Sequence, residues 1–198
     1  MELLYNFVME DFRASWKVLL IGGCSGIGKT YLAEKLSDYY KCPYIRLDHI
    51  RFIIQKLLEN DKEQYKLFFS DIDPISKSSY PKKAEFLKPA LKAYINKLSK
   101  HKETPEMIIE GIELFPEILD IKQTNDVKGI FLYDTEENLK TRMLGRGRTS
   151  DNKDIDSKVR AHTSLGDTIR TQAKNNGFFT LQASPEDTTV DRAIKLLG

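Results

Sequence analysis

Gly23-Cys24-Ser25-Gly26-Ile27-Gly28-Lys29-Thr30 fits the pattern G-x-x-x-x-G-K-[ST] at every fixed position. Both flanks fit as well. Lys17-Val-Leu-Leu-Ile21 is a short apolar run of the kind that forms a buried strand, and Tyr31, Leu32, Leu36 and Tyr39 recur with helical spacing to about Tyr40. Strand, glycine loop and helix in this order constrain fold and ligand together. Glycines let successive N–H groups turn inward around a polyphosphate, and the following helix aims its positive end at the same anion. Lys29 is expected to reach the β- and γ-phosphates and Thr30 to place its hydroxyl on Mg²⁺. Residues 23–30 are therefore the expected binding set for ATP and Mg²⁺.

The rest of the chain alternates in the same way. Met1 to Trp16 carries Leu4, Phe7, Val8 and Phe12 at helical spacing. Pro43–Leu47 reads as a second strand and Asp48 to about Asn60 as a helix. Asp71-Ile-Asp-Pro and Ser76-Lys-Ser-Ser are loop-like. Pro81 to about His101 is a long amphipathic helix with Phe86, Leu87, Leu91, Tyr94, Ile95 and Leu98 on one side. Met107–Glu110, Val127–Tyr133 and Phe178–Ala183 read as further strands. Thr135 to about Leu144 and Asp154 to Asn175 read as helices. Ser184-Pro-Glu-Asp opens a last helix, with Ser184 as its N-cap and Pro185 at its first position. This alternation predicts an α/β protein with a parallel sheet between two layers of helices, in one domain with an insertion at 61–104.

Composition agrees with that class and excludes others. The chain has 198 residues, enough to bury a core without disulfides or metals; 40% are hydrophobic and 30% charged, which excludes a disordered, collagen-like or disulfide-scaffold protein. Thirty-one basic and 29 acidic residues leave a net charge of +2, too balanced for a general binder of nucleic acid or membrane surfaces. Cys24 and Cys42 make a disulfide framework improbable, no run of 18 apolar residues exists, and the N-terminus lacks the pattern of a signal peptide. The expected location is the cytoplasm.

In an open α/β sheet, ligands sit outside the carboxyl ends of the strands, so function is read there. Strand two ends in Asp48-His-Ile-Arg51, which puts Asp48 and Arg51 on one opening helical turn. Asp48 can take a proton from a substrate hydroxyl, help organise Mg²⁺, or cap the helix. Arg51 suits an anionic group on the substrate, or is a surface charge. His49 carries no assigned chemistry. Strand three ends in Glu110-Gly111, with Glu110 where an aspartate commonly holds the magnesium shell. Glu110 is expected to bind Mg²⁺ or a substrate hydroxyl, and Gly111 to let substrate approach the backbone. Glu113 is a weaker candidate just beyond. After strand four, Arg142, Arg146 and Arg148 surround Gly145 and Gly147. Such a segment suits a lid that closes over phosphates and offsets transition-state charge, or else a solvated basic helix end. Lys153 and Arg160 are weaker candidates. Ser184 is placed to border the nucleotide base.

Together these features resemble the P-loop kinases of small molecules, the nucleoside-monophosphate-kinase-like group, from about Lys17 to Gly198. The resemblance implies a five-stranded parallel sheet in the order 2-3-1-4-5 and a lid at about 142–156. The pair Asp48-x-x-Arg51 looks like that of polynucleotide 5′-kinases, zeta-toxins and chloramphenicol phosphotransferases, in which the aspartate is the general base. Ile108-Ile-Glu-Gly-Ile-Glu-Leu-Phe-Pro116 looks similar to the corresponding strand of 2-phosphoglycerate kinases. The chain departs from shikimate kinases: strand two has no Asp-x-Asp and strand three no triple glycine.

The expected function is transfer of a γ-phosphate from ATP to a small metabolite by a monomer or homodimer. Lys29, Asp48, Arg142 and Arg146 would be catalytic, and Arg148 and Ser184 would contact nucleotide. Asp48, Arg51, Glu110 and Gly111 would meet the acceptor; Arg51 would hold it where it is anionic, with Lys82 and Lys83 as further candidates for that role or plain surface charges. The 61–104 insertion would wall the acceptor site. The alternatives are a nucleic-acid 5′-end or nucleoside kinase and a nucleotide-dependent partner binder. In the last reading Tyr65, Phe68, Phe69 and Tyr80 form the contact surface; otherwise they pack the insertion. A guanine-reading Asn-Lys-x-Asp motif is absent.

Overall fold

The computed structural model describes residues 14–61, 63, 79–101, 103–145 and 155–198. The expected helix at the N-terminus and the loop-like stretches at 71–79 lie wholly or largely outside these. Five strands form the sheet: β1 (Val18–Gly23), β2 (Tyr44–Arg46), β3 (Met107–Glu110), β4 (Val127–Tyr133) and β5 (Phe179–Gln182). The helices are α1 (Lys29–Tyr40), α2 (Leu47–Leu57), α3 (Ser79–Lys100), α4 (Pro116–Leu119), α5 (Glu136–Gly145), α6 (Ile155–Asn175) and α7 (Thr189–Leu197).

All strand pairings are parallel and the order is β2-β3-β1-β4-β5, as the resemblance implied. The chain runs from β1 out to β2, returns through β3, then crosses to β4 on the other side of β1. The strand order thus reverses about β1, which opens the ligand crevice at its carboxyl end. That end is the glycine loop.

Alternation along the strands divides the core in two. Val18 and Leu20 of β1, Ile109 of β3 and Phe131 of β4 face α3, α4 and α6. Leu19, Ile21, Ile108, Ile130 and Leu132 face α1, α5 and α7. Strands buried on both faces are mostly apolar, which is why β3 and β4 have the bounds that the sequence predicts. The long helix α3 buries Ala84, Leu87, Leu91, Ile95 and Leu98. Phe86, expected in that stripe, is 40% exposed, because Ala84 occupies the facing position of its turn.

Pro116–Leu119 forms a short helix for which the sequence gives no periodic signal, its four residues being too few. One local expectation fails. Ser184 does not cap the last helix. A 3₁₀ turn at Glu186–Thr188 intervenes, α7 starts at Thr189, and the Ser184 hydroxyl instead donates to Asp134 Oδ2. A buried carboxylate outcompetes a backbone N–H for that hydroxyl.

Cys24 and Cys42 are both free and buried. No helix among the described residues is long and apolar enough to cross a membrane.

Candidate active site

The glycine loop leaves β1 with Gly23, Gly26 and Gly28 at φ values of 133°, 82° and 107°. Gly23 shows why no other residue fits: a Cβ there would stand 2.6 Å from the Leu132 carbonyl oxygen. Lys29 is buried, and its Nζ donates to the Cys24 carbonyl at 2.9 Å across the mouth of the loop. Burial pushes the Cys24 thiol pKa up to about 11, so this cysteine is inert packing rather than a nucleophile.

Thr30 and Glu110, both expected at Mg²⁺, stand in direct contact. The Thr30 hydroxyl donates to Glu110 Oε1 at 2.9 Å, and Arg46 Nε stands 3.3 Å from the same oxygen. A hydroxyl and a carboxylate are hard oxygen donors of the type Mg²⁺ takes, one or two from protein and the rest from phosphate and water. No group of three or more His, Cys, Asp or Glu able to hold a metal stands among the described residues. The pair therefore fits a magnesium ion that arrives with a nucleotide, not one held by a protein cage.

Asp48 lies in the first turn of α2, two residues beyond the cap position, which Arg46 takes. Its Oδ1 pairs with Arg51 Nη2 at 3.0 Å, one helical turn on. Arg51 Nη1 reaches Glu113 Oε1 at 3.1 Å. Glu113 is entirely buried, with Oε2 unpartnered. Burial pushes its pKa up, and Arg51 opposes that. Arg51 is thus committed to two carboxylates. It is neither a surface charge nor an uncommitted anion clamp.

Gly111 serves packing more than substrate approach. A Cβ on it would fall 2.7 Å from Leu47 Cβ, so the glycine makes room for the first residue of α2. Its backbone still lines the pocket described next.

Ser25, Lys29, Asp48, Arg51, Tyr80, Glu110, Gly111 and Ile112 enclose one pocket of about 210 Å³. The loop lysine, the strand-two aspartate and the strand-three glutamate therefore share a single space. Tyr80, weighed from sequence as packing or a partner contact, is one of its walls.

Arg142 corrects the picture of a lid arginine. It belongs to α5, only 12% of its side chain is exposed, and its guanidinium donates to Ile27 O (2.9 Å), Ala183 O (2.8 Å) and Ser184 Oγ (2.9 Å). Its Nη1 also lies 3.2 Å from Asp134 Oδ2. Burial alone would raise the Asp134 pKa, but hydrogen bonds from Asn138, Ser184, Thr135 N and Gln182 hold it low. Arg142 is so placed that it braces the glycine loop to the end of β5. Arg146, Arg148 and Lys153 lie outside the described residues; Arg160 is exposed on α6.

The sequence reading passed over His162 of α6. It is half-buried, its Nδ1 has no hydrogen-bond partner, and burial, helped by the charge of Lys29, pushes its pKa down. A lone histidine on a helix gives no signal until the helix is seen to pass the phosphate loop.

The same architecture is found in solved structures. A gluconokinase from Sinorhizobium meliloti matches with a TM-score of 0.56 at 17% identity over 93% of each chain. A shikimate kinase from Acinetobacter baumannii, in complex with shikimate, matches at 0.58 and 13% identity over 96% of this chain and 94% of that one. A second shikimate kinase, from Bacteroides thetaiotaomicron, matches at 0.55 and 15% identity over 91% and 97%. The chain has the fold of these P-loop kinases. Sequence comparison adds nothing to this: no protein-family model matches, and no curated protein matches either.

Proposed function

We propose that the protein is a Mg²⁺- and ATP-dependent kinase that phosphorylates a hydroxyl of a small metabolite. One observation carries this reading: Lys29 and Asp48 line the same 210 Å³ pocket. A phosphate-binding lysine and a carboxylate from the next strand end can then meet a γ-phosphate and an acceptor hydroxyl at once. The full-length likeness to a gluconokinase and shikimate kinases supports it.

In this reading the loop N–H groups and Lys29 hold the β- and γ-phosphates. Thr30 and Glu110 hold Mg²⁺, which offsets phosphate charge when bound. Asp48 accepts the proton of the acceptor hydroxyl as its oxygen bonds to phosphorus and the bond to the β-phosphate oxygen breaks, leaving ADP. Arg51 keeps Asp48 aimed. The chain's contribution is mainly position and electrostatics, as phosphoryl transfer requires. Tyr80 makes α3 the acceptor-side wall.

The test is transfer of labelled γ-phosphate with Mg²⁺ across a panel of sugars, sugar acids, phosphorylated acids, nucleosides and 5′-hydroxyl oligonucleotides. D48N should bind ATP as the native protein does and lose transfer by about 10²-fold or more, the scale of a general base. Transfer at the native rate in D48N would remove Asp48 from the chemistry, and transfer to oligonucleotides alone would favour the nucleic-acid 5′-end reading.

A further inference from the structure

The pocket's charges do not balance evenly among their owners. Asp48 and Glu113, the two carboxylates on the acceptor side, are both taken up by Arg51. Glu110 belongs to Thr30 and Arg46. Lys83, one helical turn beyond Tyr80 on α3 and just behind the pocket's lining, makes no ion pair with a described residue. Its Nζ sits over the Tyr80 ring, 5.3 Å from the centroid, and Tyr80 is a wall of the pocket. Lys83 is half-buried, so this cation has given up much of its water without gaining a carboxylate. A tyrosine face returns only a little of that hydration. The groups facing it are Arg51, Glu113 and Asp48, with Arg51 foremost. Burial and the Arg51 charge push the Lys83 pKa down, which states the same deficit in another form.

We infer that the acceptor carries an anionic group, carboxylate or phosphate, and that Lys83, steadied on Tyr80, is the residue that binds it. This deepens the kinase reading and rests on it. The acceptor is then a small hydroxy acid or phosphorylated alcohol, with its anion toward α3 and its hydroxyl toward Asp48. Lys83 has the right properties for the task. It is a point charge with three rotatable donors, and it is partly stripped of solvent before the ligand arrives. Selectivity follows, since a neutral analogue would leave this cation unpaired.

The first test needs no knowledge of the acceptor. The loop is saturated with Mg²⁺ and a non-hydrolysable ATP analogue. Inorganic phosphate, and separately acetate, is then titrated while the Lys83 side-chain NMR signal is followed. Saturable shifts of that signal are expected in the native chain; anion affinity measured by calorimetry in native and variant chains alike should be weakened about tenfold or more in K83M, the scale of one lost charge-assisted contact, and partly restored in K83R. The Lys92→Met variant, in a lysine that pairs with Asp120 away from the pocket, is the control and should bind as the native chain does. Response to acetate, to phosphate or to both names the anion class. The second test compares transfer to glycerate with glycerol and gluconate with sorbitol. K83M should raise the KM for the acid member about tenfold and leave kcat nearly unmoved, as loss of uniform binding does.

A Lys83 signal indifferent to both anions, or a K83M affinity equal to native, overturns the inference. So does a neutral acceptor used as well as its acid. Failure of the native protein to bind the ATP analogue would instead overturn the kinase reading, while the Lys83 titration would still report on the anion site.

Discussion

Arg51 Nη1 lies 3.1 Å from Oε1 of Glu113, a carboxylate with none of its side chain exposed. The other arm of the same guanidinium holds Asp48, which is half exposed at the pocket. A buried acid thus fixes the posture of the proposed base through one intervening cation.

The two ends of this relay should respond unequally to mutation. R51M leaves Glu113 buried with no counter-ion and should cost about 3–5 kcal/mol, whereas E113Q keeps an oxygen for Arg51 and should cost only about 1–2 kcal/mol. The R51M deficit should also depend on pH. Burial already raises the Glu113 pKa, and losing Arg51 raises it further, so the native state keeps a proton that the unfolded chain releases above about 4.5. Stability of R51M relative to native should fall as pH rises from 5 to 8. Urea unfolding at the two ends of that range checks both statements; equal deficits for the two variants would mean that Glu113 is not held by Arg51.

Arg142 should behave as a brace for nucleotide binding. R142M removes donors to Ile27 O, Ala183 O and Ser184 and leaves Asp134 without its cation. A stability loss of about 3 kcal/mol is expected, at the low end for a broken buried pair, because Asp134 keeps its other hydrogen bonds. Calorimetry under conditions where the variant is folded should show ATP affinity reduced about tenfold or more, the loss expected when one charge-assisted contact no longer orders the loop. Native affinity in R142M would make the brace irrelevant to the loop.

His162 predicts a loss of stability on the acid side. Its native pKa is pushed below the ordinary 6.5, so below that pH the unfolded chain takes up a proton that the native chain resists. Stability contributed at pH 7.5 is lost as pH falls through 6.5, at a slope of at most about 1.4 kcal/mol per pH unit. Denaturant melts of the native chain and H162Q at pH 7.5 and 5.5 should show the native chain losing ground to the variant. Parallel curves would mean that His162 titrates normally.

The fold and the phosphate end of the site were legible because their signals are local. The glycine loop is one contiguous string, β3 and β4 are mostly apolar with Glu110 and Lys128 as their charged residues, and Asp48 and Arg51 share a single helical turn. What escaped depends on contacts across the chain. Glu113 looks like any acidic residue after a strand until its burial against Arg51, 62 positions away, is seen. Ser184-Pro185 looks like a cap because the competing acceptor, Asp134, is 50 positions upstream. Arg142 looks mobile among glycines, yet its partners come from the loop, β4 and β5. Gly111 looked like a gap for substrate, and its gap is filled by Leu47.

That last contact has a consequence for how the pocket can change. Leu47 seats the start of α2 directly on the backbone of Gly111, which follows β3, and the next residue is Asp48. The proposed base and the floor of the phosphate site are therefore cast as one piece, and a side chain at 111 would disturb both. Descendants seeking a new acceptor cannot retune the two separately. The freedom lies across the pocket, on α3, where Tyr80 and Lys83 can be exchanged without unseating the chemistry.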